Sequence, residues 1–147
     1  MTLETIKIKK LNDNATIPTR SHSTDAGLDL YASESVWVEE GTLISTGIAV
    51  DIPPGFEGTI RPRSGLTSRT ALRVQLGTVD SGYNGELKVI ADYIPNVGIG
   101  DQTYPIGAGD KIAQLVLSPI ETPVVEVVDE FDSESERGEN GFGSTGK

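Results

Sequence analysis

Asp80 follows an apolar approach and enters the turn of "GTVDSGYNGE", residues 77–86. A carboxylate placed there is either a turn-forming residue or a general base that activates water. Tyr83 is either a hairpin packing residue or a flat wall for a sugar or base. "PRSGLT", residues 62–67, joins the planar fork of Arg63, the hydroxyl of Ser64 and a glycine, Gly65, that lets main-chain amides approach an anion. An ordinary turn with a surface arginine has the same spelling. "DAGLDLYA", residues 25–32, sets two carboxylates four apart, and Asp29 could reach the water shell of a hard metal ion. In "GDKIAQLVL", residues 109–117, Gln114 interrupts an apolar run, so it is paired with main chain or turned to a ligand. "GFGSTGK", residues 141–147, satisfies G-x-G-x-x-G and G-x-x-x-x-G-K together. It lacks the strand–loop–helix context that gives either pattern its usual meaning.

Composition narrows the chemistry. There is no Cys among the 147 residues, which excludes disulfides, thiolate nucleophiles and Cys-ligated zinc. A single histidine, His22, excludes any multi-His metal site, and its Ser/Thr-rich loop marks it as a surface residue. Catalysis is left to carboxylates, Arg and Lys, main-chain amides and a hard metal ion. The net charge of −10 argues against duplex nucleic acid and anionic membranes as partners. From Gly58 to Val79 there is no Asp or Glu, yet Arg61, Arg63, Arg69 and Arg73 fall in that window. Two readings fit: a local anion site, or a solvated basic face. "MTLETIKIKK" has no apolar run, so no signal peptide or membrane span is expected and the cytoplasm is the default compartment.

The elements that must position these residues are short strands. The 17 Gly and 8 Pro are spread throughout and leave few windows for a helix. Runs such as "TIKIKKL", "SVWVEE", "TLISTGIAVDI", "ELKVIADYI" and "PVVEVVDEF" are bounded by turn chemistry, "PPG" and "GAGD" among it. Ile6 and Ile8 alternate with Lys7 and Lys9 at the period of a half-buried strand. About eight such runs predict an all-β fold, a barrel or jelly roll. One short helix is expected near Leu66–Leu72. Trp37 is expected to face away from Val36 and Val38, as a packing or subunit-contact residue. From Glu121 onward the chain turns acidic and then Gly-rich, and such a segment cannot offset its ordering entropy alone.

Five of these stretches, in order, resemble the motifs of the trimeric dUTPase family: "DAGLDLYA", "PRSGL", "GTVDSGYNGE", "GDKIAQLVL" and "RGENGFGSTG". The resemblance covers most of the chain. It implies a jelly-roll-like β-barrel of the β-clip type with at most one short helix, assembled as a homotrimer with active sites shared between subunits. It divides the chain into one domain, residues 1–136, and a flexible arm, residues 137–147, that closes over the site. It implies hydrolysis of dUTP to dUMP and pyrophosphate, which keeps uracil out of DNA and supplies dUMP for dTTP synthesis. Asp80 would be the base for the water that attacks the α-phosphorus. Arg63, Ser64, Gly65 and Gln114 would hold phosphate oxygens. Tyr83 would pack on the deoxyribose and exclude a 2′-hydroxyl. Uracil would be read by main-chain groups of the hairpin from Val74 to Lys88, Gly77, Thr78 and Val79 among them. Arg137 would clamp phosphate, Phe142 would stack on uracil, and Gly143 and Ser144 would reach the terminal phosphate. Mg²⁺ would be held mainly by the triphosphate, with Asp29 acting through water.

There are departures from the family pattern. Val74 stands where Asn is frequent, and Lys111 where Arg is frequent. The stretch from Tyr93 to Gly109 is slightly long. The related dCTP deaminase is a second reading, disfavoured by Tyr83 and the complete arm. A third is a regulatory protein on the same scaffold, with a regulatory protein partner if the chain is viral.

Overall fold

Turn residues cut this chain into elements of three to nine residues. The computed structural model describes residues 2–95, 103–143 and 146. Among them, β1 is Lys7–Lys10, β2 Gly27–Tyr31, β3 Val36–Val38, β4 Thr42–Ser45, β5 Ile48–Asp51 and β6 Phe56–Arg61. The helix α1, Ser64–Arg69, follows, then β7 Leu72–Val74, β8 Gly77–Val79, β9 Lys88–Tyr93, β10 Tyr104–Ile106 and β11 Lys111–Pro119. The fold is nearly all-β, as expected.

All the strand pairs are antiparallel. They form one sheet in the order β2-β11-β6-β8, a second in the order β4-β9-β7, and the ribbons β1-β5 and β3-β10. Among the described residues these pairings do not close into one hydrogen-bonded barrel. Alternation explains which faces meet. In β9, Val89 and Ala91 are fully buried while Lys88 and Ile90 face out. The core they join is lean and aliphatic, with Leu30, Ile44, Ile112 and Leu115 at its centre. β2 is buried on both faces. Leu28 and Leu30 enter the core, and Asp29 between them is covered from the other side.

Two expectations are adjusted and a third holds. The helix begins at Ser64, earlier than the Leu66 predicted from the Gly-free window, because Arg63 is already extended and Gly65 is accommodated inside the first turn. Trp37 does face out, 64% exposed beside a fully buried Val38. "PVVEVVDEF" is not a strand in the isolated chain. Val124, Val125 and Val127 are each at least 86% exposed, and no strand includes them. A strand needs a neighbour to take its N–H and C=O groups, and among the described residues this segment has none.

Candidate active site

The sequence places Asp29 in the middle of β2 and Gln114 directly opposite it in β11, with Arg61 of β6 across from Gln114. One row of the sheet therefore carries polar groups at the end of β6, where the chain leaves for Arg63. The Asp29 carboxylate takes the Arg63 Nε at 3.1 Å on Oδ1. On Oδ2 it meets the Lys111 Nζ at 3.4 Å and the Ser21 hydroxyl at 3.5 Å. The bond to Arg63 uses Nε and so leaves the two terminal nitrogens of the guanidinium for another anion. Gln114 donates Nε2–H to the Pro62 carbonyl at 2.9 Å. It pins the loop that carries Arg63 and Ser64. Gly27 makes room for it: a Cβ there would sit 2.0 Å from the Gln114 Oε1.

These groups line a cleft of about 360 Å³ walled by Asp25, Asp29, Arg63, Ser64, Gly65 and Gln114, with Ser21, Ala26 and Gly27 beside them. Ser64 and Gly65 open the helix, so their N–H groups lack an intrahelical acceptor. The cleft is close to electroneutral. Asp25 and Asp29 offset Arg63 and Lys111. At its rim His22, with its side chain 81% exposed, lies 3.1 Å from Asp25. Of the four arginines in the acid-free window, only Arg63 lines the cleft. Arg73 is spent on structure: its Nη1 donates to the carbonyls of Thr67, Thr70 and Leu72 at 2.8–3.2 Å, closing the end of α1.

A second cleft, about 620 Å³, holds Asp80, Tyr83, Lys88 and the strand Gly77–Val79. Leu43, Ile60, Glu86, Leu87 and Ile90 complete it. Asp80 is exposed, and among the described residues its carboxylate makes no hydrogen bond or ion pair. The Asp80 carbonyl accepts the Tyr83 N–H at 3.2 Å, which closes the turn. The Tyr83 hydroxyl donates to the Glu86 carbonyl at 2.9 Å. No residue lines both clefts.

The remaining expected residues stand apart. Val74 packs on the core and lines neither cleft. Residues 137–143 form local turns of their own. Arg137 donates Nε–H to the Asn140 carbonyl at 2.6 Å, and Phe142 is fully exposed with φ 50°. Ser144 lies outside the described residues, as does 96–102 of the long Tyr93–Gly109 stretch. Sequence reasoning did not single out Ser21 or Glu86. Glu86 had a signal, a carboxylate directly after the hairpin glycine, whereas Ser21 had none.

The dUTPase family model matches residues 13–146. A deoxyuridine 5′-triphosphate nucleotidohydrolase of Clostridioides difficile is 44% identical over 145 residues, covering 96% of this chain and 97% of that protein. The chain belongs to the dUTPase family. It is thereby an enzyme, a dUTP diphosphatase, and residues of the motif stretches line both clefts. A dUTPase mutant from Staphylococcus bacteriophage 80alpha, solved with dUpNHpp, superposes with a TM-score of 0.88 at 37% identity, covering 99% of this chain and 100% of that one. A mutant dUTPase of phage phi11 of S. aureus, also 37% identical with a TM-score of 0.78, covers 88% of this chain and 99% of that one. That structure is described as showing the coordination of a structural Mg(II) ion. Among the described residues of this dUTPase, no helix is long and apolar enough to cross a membrane.

Proposed function

We propose that this dUTPase hydrolyses dUTP at a site completed between subunits, with phosphates in the cleft of Arg63 and the nucleoside in the cleft of Asp80. The observation that carries this reading is the separation itself. The phosphate-type groups and the base-and-sugar groups line different clefts of one chain, with no residue in common. A homotrimer whose subunits contribute different clefts to each site reconciles them. The exposed valines of 124–128 give such an assembly an apolar segment to exchange.

In this reading Asp80 takes a proton from a water whose oxygen bonds to the α-phosphorus. The bond from that phosphorus to its bridging oxygen breaks, and pyrophosphate leaves with the electron pair. Little covalent chemistry is asked of the protein, so positioning and charge stabilisation supply the rate. Arg63, aimed by Asp29, forks phosphate oxygens with its terminal nitrogens. Ser64 and Gly65 add a hydroxyl and free amides. Gln114 acts by holding Pro62, and hence the Arg63 loop, in place. Tyr83 walls the sugar, and main-chain groups from Val74 to Lys88, including Gly77, Thr78 and Val79, read uracil.

A cleft near electroneutrality cannot by itself balance a triphosphate. Among the described residues no cluster of three carboxylates or histidines is available to cage a metal ion. The residues therefore fit a Mg²⁺ that arrives on the substrate, with Asp29 and Asp25 facing its water shell. Bound there, it supplies neutralisation of the charge that develops on the leaving pyrophosphate. Arg137 supplies the further cation when the arm, residues 137–147, closes with Phe142 over the base and Gly143 and Ser144 near the terminal phosphate. Residues 1–136 form the domain it closes on, and the enzyme works in the cytoplasm on the nucleotide pool.

The test is Asp80→Asn. Turnover followed by pyrophosphate release should fall by several orders of magnitude, while a non-hydrolysable dUTP analogue still binds. Near-normal turnover removes Asp80 from the chemistry.

A further inference from the structure

Glu86 links the hairpin that carries Tyr83 to the body of the protein. Its carboxylate Oε2 accepts the Gly47 N–H, between β4 and β5, at 2.9 Å. Its main-chain carbonyl accepts the Tyr83 hydroxyl at 2.9 Å. One residue thus grips the scaffold with its side chain and the aromatic ring with its backbone. The next residue reinforces the seam. The Leu87 carbonyl takes the Thr46 hydroxyl at 2.5 Å, and the Leu87 N–H donates to the Ile48 carbonyl at 2.9 Å.

Tyr83 needs such a hold. It is 48% exposed, so burial alone does not fix it. Its ring lies over Gly85, where a Cβ would fall 2.5 Å from the hydroxyl oxygen and 2.9 Å from Cε1. The ring is therefore placed by two contacts, the glycine beneath it and the hydroxyl bond to Glu86. The Glu86 side chain is only 25% exposed, and its other oxygen faces Lys88 at 4.0 Å. Its bond to Gly47 is the charge-assisted kind, stronger than a neutral one.

A steric wall discriminates only as well as it is held. Excluding one hydroxyl requires the wall to stay within a few tenths of an ångström when a larger sugar presses on it, and walls without support behind them yield. We propose that Glu86 is a specificity-determining positioning residue: through Gly47 and the Tyr83 hydroxyl it stiffens the wall that excludes ribonucleotides. The inference rests on Tyr83 as that wall.

The experiment compares kcat/KM for dUTP and UTP, with excess enzyme for the slow substrate, in Glu86→Ala, Glu86→Gln, Tyr83→Phe and Tyr83→Ala. Glu86→Ala should raise the UTP to dUTP ratio about tenfold, the scale of one lost packing contact in a specificity pocket. Glu86→Gln keeps an acceptor for Gly47 and should retain most of the discrimination. Tyr83→Phe removes only the hydroxyl and should relax the ratio as Glu86→Ala does. The two changes combined, Glu86→Ala with Tyr83→Phe, should relax it no further, because both cut one chain of contacts. A Glu86→Ala enzyme that loses both substrates equally has lost only stability, and that outcome overturns the proposal. If Glu86→Ala does not fold, an unchanged ratio in Tyr83→Phe overturns it instead. Tyr83→Ala separates the two levels. A ratio unmoved by Tyr83→Ala means that Tyr83 is not the wall, and both readings go. A ratio raised there but not in Glu86→Ala removes Glu86 alone.

Discussion

Gln114 is a half-buried amide, and one of its two N–H donors goes to the carbonyl of Pro62. Sequence spacing marked it as a polar interruption of a buried strand and left two fates open, main chain or ligand. In the structure one N–H goes to the main chain, and the side chain also lines the cleft of Arg63. In the proposed function it acts on phosphate binding through the loop that Arg63 rides on. Gly27→Ala tests this. The added Cβ forces Gln114 to swing away, at the cost of about 1 kcal/mol for its hydrogen bond. Stability should fall modestly. Activity should fall more, with kcat/KM for dUTP down about tenfold as the loop loosens. In a Gln114→Ala background the same change should cost much less, since only the Cβ of residue 114, 3.1 Å from the added one, is left in its way; a steady-state assay of the double variant will show this. Arg73 marks the opposite case. Its residue type was legible, but spacing could not reveal that its guanidinium turns back on the carbonyls of Thr67, Thr70 and Leu72. Long flexible side chains choose their partners in three dimensions, and only their charge is written in the sequence.

Among the elements, most strands were legible because turn residues bracket them and alternation names their inner face. β4 and β5 had read as one run, and Thr46–Gly47 divides them. What alternation does not reveal is how turns are fastened to distant strands. Asp92, at the end of β9, is an example. Its Oδ1 accepts the Gly41 N–H at 2.6 Å and its Oδ2 accepts the Gln75 amide. The turn between β3 and β4 is thereby tied to β7 and β9. The Gly41 N–H first, and the Gln75 amide second, hold the Asp92 carboxyl below the usual Asp value. The sign follows from linkage. A depressed folded-state value means that stability from this group is present above the ordinary carboxylate range and is lost as pH falls through the lowered value. Asp92→Asn keeps at most one of the two acceptors it needs. The variant should have a lower urea midpoint than the wild type near neutrality. That gap should narrow as pH is taken below about 3.9, the ordinary Asp value. A gap independent of pH would assign the loss to packing.

Over the molecule as a whole, composition changes near Glu121, and among the described residues those beyond Ile120 make no strand and expose Val124, Val125 and Val127. "PVVEVVDEF" read as a strand on propensity. Propensity cannot say whether a partner strand lies in the same chain, so this was the part of the fold least legible from one sequence. Among the described residues, those from 135 onward make hydrogen bonds only within their own turns. Deleting residues 137–147 should remove nearly all dUTP hydrolysis while leaving the melting temperature of the assembly unchanged, since those residues add little to the body. A large fall in melting temperature would make the arm a structural element.

The two separate clefts have a consequence for inheritance. Sites built from two chains can be rebuilt from two broken ones. With sites shared as proposed, subunits carrying Arg63→Ala and subunits carrying Asp80→Asn should each be inactive alone. Unfolded together and reassembled in equal amounts, they should recover about a quarter of wild-type activity, the share of sites that draw each cleft from the intact donor. A cell holding one of each defective allele would then still cleanse its nucleotide pool. A single Asp80→Asn allele beside a normal one would silence sites in mixed assemblies in proportion to its dose.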